Sequence, residues 1–220
     1  MKIIYLIAGV LLFFKILIIP NPQLELAEIS IVKMIVNDTG VPNAISGVLF
    51  RNRLYDTIFE VVVFTIAILG VKYLLSNEKP SSIIYQFTDE PSIILARLAA
   101  MITSLVGIEL AIRGHLTPGG GFAAGVAGGT AIGLILITSS VELMENIYHR
   151  YRISRWEKII LIIFIFLAGI TLMGIELPQG NFGTLLSGGI IPLLNILVAL
   201  KVALGSWLIL QLFIRYRGLL

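Results

Sequence analysis

Gly121-Phe122-Ala123-Ala124-Gly125-Val126-Ala127-Gly128-Gly129-Thr130-Ala131-Ile132-Gly133 places a glycine at every fourth position, with Gly128 beside the row. Residues four apart share one face of a helix. Gly121, Gly125, Gly129 and Gly133 therefore make a smooth stripe on which a second backbone can lie closely. In lipid no hydrophobic force draws helices together, so close packing over small residues is what holds them. The stripe reads as a packing face, and its setting reads as a membrane.

The rest of the chain agrees. Hydrophobic residues make up 57% of the 220 and charged residues 13%, against about 25% charged in a soluble domain. A span needs about 20 mostly apolar residues. Six stretches approach this: Ile3 to Ile19, Thr57 to Leu75, Ser92 to Ile112, Gly121 to Ser139, Trp156 to Ile175 and Leu186 to Ile214. The expected fold is all-α, a polytopic membrane protein of about six transmembrane helices. The first stretch follows Lys2 like a signal peptide, but it is long and lacks a nearby small-x-small cleavage site, which favours an anchor. The segment from Leu24 to Val36 mixes Glu25, Glu28 and Lys33 with aliphatics, as a short interfacial helix does.

Basic residues orient the spans. Lys2, Lys72, Lys79, Arg97, Arg150, Arg152, Arg155, Lys158, Arg215 and Arg217 fall on one side. Lys33, Arg51, Arg53 and Arg113 fall on the other. The expected place is the cell membrane, multi-pass, with both termini cytoplasmic. A polar linker, Ser76 to Pro91, separates a two-helix unit, 1–79, from a four-helix unit, 80–220.

The chain has no cysteine and two histidines, His115 and His149. Iron–sulfur ligation, disulfides and thiol catalysis by this chain are excluded, and a haem or zinc site of its own is not expected. No HExxH is present. The expectation is no enzyme, no cofactor, no metal site and no nucleic-acid partner.

Charges inside spans are the sharper signal, because an ammonium at mid-membrane costs about 2.5–3.5 kcal/mol and so faces protein or water. Lys201 lies deep in the last span, beyond easy reach of either surface. Asp56 and Glu60 stand four apart at the start of the second, on one helix face. A partly desolvated carboxylate there suits a proton or a sodium ion. Glu109 and Arg113 are also four apart, and a local salt bridge is the favoured reading. His115 precedes Pro118-Gly119-Gly120-Gly121. An imidazole at the membrane surface can accept a proton, although a hydrogen-bonded turn histidine is the plainer account. The glycine run lacks the Lys-Ser/Thr of a phosphate-binding loop.

Gly114-His115-Leu116-Thr117-Pro118-Gly119-Gly120-Gly121-Phe122 resembles the GH-x-x-PGGGF signature of the B subunit of Mrp-type multisubunit sodium/proton antiporters, a subunit type shared with hydrogenase and sulfane-sulfur reductase complexes. Gly183-Thr184-Leu185-Leu186-Ser187-Gly188-Gly189-Ile190-Ile191-Pro192-Leu193-Leu194-Asn195, with Lys201-Val202 beyond, looks like that family's last helix. Ala123 and Ala124 depart from the polar or glycine residues expected after the signature. Pro42-Asn43-Ala44-Ile45, Phe50-Arg51 and Asp56-Thr57-Ile58-Phe59-Glu60 are similar to the C-terminal helices of the antiporter A subunit, fused ahead of the B-like unit. The resemblance implies a membrane subunit of a cation/proton antiporter module, possible also in a redox-driven complex. Its partners would be other membrane subunits, lipid, Na+ and H+. By the same resemblance Glu60 matches an acidic residue tied to ion translocation. A purely structural scaffold subunit is the alternative.

Overall fold

A computed structural model describes residues 24–81, 84, 87–175 and 177–218. The expected first span, Ile3 to Ile19, lies outside them. The chain divides into two compact units, Met1–Ile35 and Val36–Leu220, and the second carries everything argued below. The described elements are helical: α1 Leu24–Thr39, α2 Ala44–Gly47 running into a π-helical turn Val48–Asn52, α3 Leu54–Leu75, α4 Glu90–Arg113, α5 Gly121–Ile137, α6 Val141–Arg150, α7 Ile153–Leu172 and α8 Ile191–Arg217. Among the described residues no strand occurs.

Three helices, α3, α4 and α8, are long and apolar enough to cross a membrane. Two other expected spans are marginal for visible reasons. α5 has 17 residues, about 25 Å at 1.5 Å per residue, and α7 carries Arg155, Glu157 and Lys158 near its start.

α8 is the hub. Half of its apolar window is buried inside the chain, against 17% for α3 and 11% for α4, and it touches α3, α4, α5 and α7. The glycine stripe makes the tightest of these contacts. A Cβ on Gly121 would meet Val198, on Gly125 Val202, on Gly129 Ser206 and on Gly133 Leu210. The offset between the two helices stays constant from contact to contact. α5 and α8 therefore run parallel and in register, held by van der Waals contact and not by any charge. At Gly107, α4 comes close to the backbone of α5 in the same manner, and Gly205 receives Phe64 and Ile68 of α3.

One end of the bundle is knitted by polar groups from three separate segments. Asn43 donates through Nδ2 to the carbonyls of Gly114 (2.6 Å) and Thr117 (2.9 Å). Ser46 Oγ donates to the same Gly114 carbonyl at 2.7 Å, and the Asn43 amide donates to His115 O at 3.2 Å. Asn195 Nδ2 donates to the carbonyls of Leu110 (3.2 Å) and Ala111 (2.7 Å), which the end of α4 leaves without helical partners. The glycine-rich turn closes with Gly120 at φ 143°, a conformation side chains resist.

Boundaries differ from the sequence reading where backbone chemistry intervenes. α8 begins at Ile191 and not at Leu186, because Gly188 and Gly189 sit at φ 79° and 60° and Pro192 follows at a first-turn position. α7 runs Ile153–Leu172, about three residues earlier than expected, and Gly174 at φ 82° turns the chain away just beyond it. The stretch between the fourth and fifth spans is not loop. It holds α6, capped by Ser140, which buries Met144 and Tyr148 against Leu136, Trp207 and Ile214.

Candidate ion-handling site

Lys201 is completely buried on α8, and its ammonium is paired with the Glu157 carboxylate of α7. Glu157 is itself 5% exposed. The pair sits where α7, α8 and α3 converge, with the Phe64 ring centroid 5.9 Å from Lys201 Nζ. Val198, Val202, Ile160 and Phe164 belong to the apolar cluster around it. Taking two charges out of water is costly, and their attraction offsets this only with good geometry. A buried ion pair is therefore a poor device for stability alone.

Glu157 is the residue that the sequence reading missed. It lies inside the apolar run that begins at Trp156, but Arg155 and Lys158 beside it give it the look of a solvated helix end. The usable signal was a carboxylate inside one span and an ammonium inside another.

Glu60 stands apart from the pair and is exposed on α3, between Phe59 (64% exposed) and Val63 (62%). Its place on the helix is nevertheless informative. α3 and α8 run the same way along the bundle, and Phe64 and Ile68 both meet Gly205. Glu60 stands one turn before Phe64 on α3. Glu60 is thus exposed one helical turn from the aromatic ring that lies against the buried pair.

The remaining candidates are placed otherwise. Asp56 does not join Glu60 in a carboxylate pair: it is bound by Arg53, three residues before it. Glu109 and Arg113 form the local bridge, 3.0 Å, both exposed. His115 is completely buried within the chain at the knitted end. Its ring nitrogens make no hydrogen bond of good geometry. Burial pushes its pKa down, opposed by the nearby backbone of Thr184 and Leu185. A neutral, enclosed imidazole fits a packing role. Among the described residues no three of His, Asp and Glu gather as a metal site would require.

Residues 91–208 match the family described as a domain related to the MnhB subunit of Na+/H+ antiporter. The chain is 29% identical over 197 residues to an uncharacterized protein of Methanocaldococcus jannaschii, covering 75% of this chain and 74% of that one. In fold it is similar to a chain of the membrane-bound sulfane sulfur reductase (MBS), an archaeal respiratory membrane complex. The TM-score is 0.73 at 24% identity, over 97% of this chain and 96% of that chain. It is also similar to part of a chain in the Mrp complex from Dietzia sp. DQ12-45-1b, with TM-score 0.57 at 18% identity, over 80% of this chain and 21% of that chain. With more than half its length matched and helices built for lipid, the chain belongs to the MnhB-related family, and is a membrane subunit of a cation/proton antiporter-type module.

Proposed function

We propose that this subunit lends charged groups to the ion path, at the face where α3 meets a neighbouring subunit, and performs no chemistry of its own. The observation that carries the reading is an exposed Glu60 one helical turn from Phe64, whose ring lies 5.9 Å from the Lys201 ammonium of the buried pair. A carboxylate on a membrane-facing helix costs free energy unless it meets a cation, a proton or a donor. An ion arriving beside Glu60 changes the field at Lys201, which lies behind the Phe64 ring. Lys201 and Glu157 respond as a pair.

Under the same proposal residues 1–79 are the unit resembling the C-terminal helices of the antiporter A subunit, and 80–220 the B-like unit. Both termini face the cytoplasm. In support, Arg215 and Arg217 gather at one end of the bundle with Glu145 and Glu78, at 2.9 and 2.8 Å.

The test is Na+/H+ exchange by the assembled complex in inverted vesicles. Glu60→Gln should assemble normally and lower exchange at least tenfold, and Lys201→Met with Glu157→Gln should assemble and also impair it. Normal exchange by both variants would sink the ion-path reading and leave a sealing, structural subunit.

A further inference from the structure

At the end of the bundle opposite Asn43 and His115, a polar cavity of about 250 Å³ opens between α3, α6, α7 and α8. The ion-path reading does not use it. Lys72, Arg215 and His149 line it, with Ser154, Tyr148 and Gln211. Arg215 is paired at 2.9 Å with Glu145, whose side chain also lines the cavity. Lys72 is exposed at the mouth with no ion pair among the described residues, so the cavity keeps an excess positive charge. Gln211 is 8% exposed, and its Oε1 finds no hydrogen-bond donor. A buried acceptor left unpartnered costs free energy, and its residue is part of the cavity wall.

The surroundings say where a ligand for it comes from. Tyr148, on the cavity wall, meets Trp207 edge to face at 5.7 Å, and both are buried in the apolar core behind it. Three of the four walls are apolar helices, and the cavity lies at the end of the bundle where Arg215 and Arg217 gather. Basic pockets between such helices bind anionic headgroups, above all on the face richer in Lys and Arg. We propose that this cavity binds the phosphate of an anionic phospholipid whose head also carries a hydroxyl, as phosphatidylglycerol does. Lys72 and Arg215 take the phosphate oxygens. The head's hydroxyl donates to Gln211 Oε1.

The test uses the purified, delipidated complex in neutral detergent. Its probes are phosphatidylglycerol, phosphatidylcholine and inorganic phosphate, read by retained lipid in native mass spectrometry and by thermal unfolding. Phosphatidylglycerol should be retained and raise the unfolding temperature, and the other two should not. Lys72→Gln should weaken retention about fivefold, the share expected of one lysine near a membrane surface. Ser154→Leu should fill the cavity and abolish it. If that variant fails to fold, Lys72→Gln, an exposed site, still decides the matter. Equal stabilisation by phosphatidylcholine overturns the proposal, and so does unchanged retention in Lys72→Gln. Equal stabilisation by inorganic phosphate overturns the lipid source and leaves a soluble anion site. Exchange activity does not enter the readout, so the ion-path reading stands or falls separately.

Discussion

Gly125→Ala should loosen the whole α5–α8 contact, and the loss can be sized from the backbone. A Cβ at Gly125 would lie 2.4 Å from Val202 Cβ and 2.8 Å from both Val202 Cγ1 and the Ala199 carbonyl oxygen. Carbon atoms rest about 3.5–4.0 Å apart, so the helices must separate by about 1 Å or more. The obstacles cannot swing aside, since one is backbone and the other a β-branched side chain stiff at χ1. Because α5 and α8 are parallel and in register, that shift also opens the contacts at Gly121, Gly129 and Gly133. Overpacking of this kind costs about 1–3 kcal/mol, while alanine over glycine returns about 0.5–1 kcal/mol within a helix. A net loss of about 1–2 kcal/mol is expected. Two other glycines calibrate the estimate. Gly128 would bring its Cβ to 3.2 Å from Ala203 Cβ, and Gly70 has nothing within 4 Å. Gly128→Ala should be near neutral, and Gly70→Ala should gain most of the helix preference. Unfolding of the purified chain in mixed micelles, titrated with denaturing detergent, gives the order. If Gly125→Ala proves as stable as Gly128→Ala, close packing of α5 on α8 is not what the stripe is for.

Two further predictions follow from the buried groups. Lys201→Met leaves the Glu157 carboxylate unpaired and should cost about 3–5 kcal/mol, as should Glu157→Gln, whereas the double variant should recover most of the loss. Additive losses in that double-mutant cycle, measured in the same micelles, would show that the two side chains do not interact. His115 is held neutral by burial, so its pKa in the folded chain lies below the ordinary value near 6.5. The sign follows from linkage. The contribution of His115 is complete above about pH 6.5 and is lost as pH falls toward the folded value, because the unfolded chain takes up the proton first. His115→Gln should flatten that acid-side loss, and an unchanged slope in unfolding measured from pH 7.5 to 5 would refute it.

Much of the architecture was legible because lipid imposes a simple demand on composition. α3 and α4 follow from apolar length, and the four-residue glycine period announces a close helix contact before its partner is known. That partner, α8, could not be read, since nothing in Val198, Val202, Ser206 and Leu210 marks them as the complement. The amphipathic helix α6 hid for the opposite reason: it is short and polar, and only Met144 and Tyr148 commit it to the core. Asn43 and Gly114 lie 71 residues apart, and no local pattern links them. Yet their hydrogen bonds explain two of the quoted motifs together, the Pro42-Asn43 turn and the glycine–histidine turn. Lys201 stood out because it breaks an apolar run, whereas Glu157 was camouflaged by neighbouring charges.

The arrangement of charge argues that the isolated subunit is incomplete. Lys201 and Glu157 satisfy each other, so their part of the molecule is self-sufficient in lipid. Glu60 has no such arrangement among the described residues, and the exposed side chains beside it on α3, Phe59 and Val63, are apolar. A charged group facing acyl chains costs free energy, on the order of a few kcal/mol at mid-membrane. A partner subunit that supplies a donor or a cation beside α3 would remove that cost. Glu60 is therefore the side chain through which this face of α3 calls for a neighbour, whereas the Lys201–Glu157 pair calls for none.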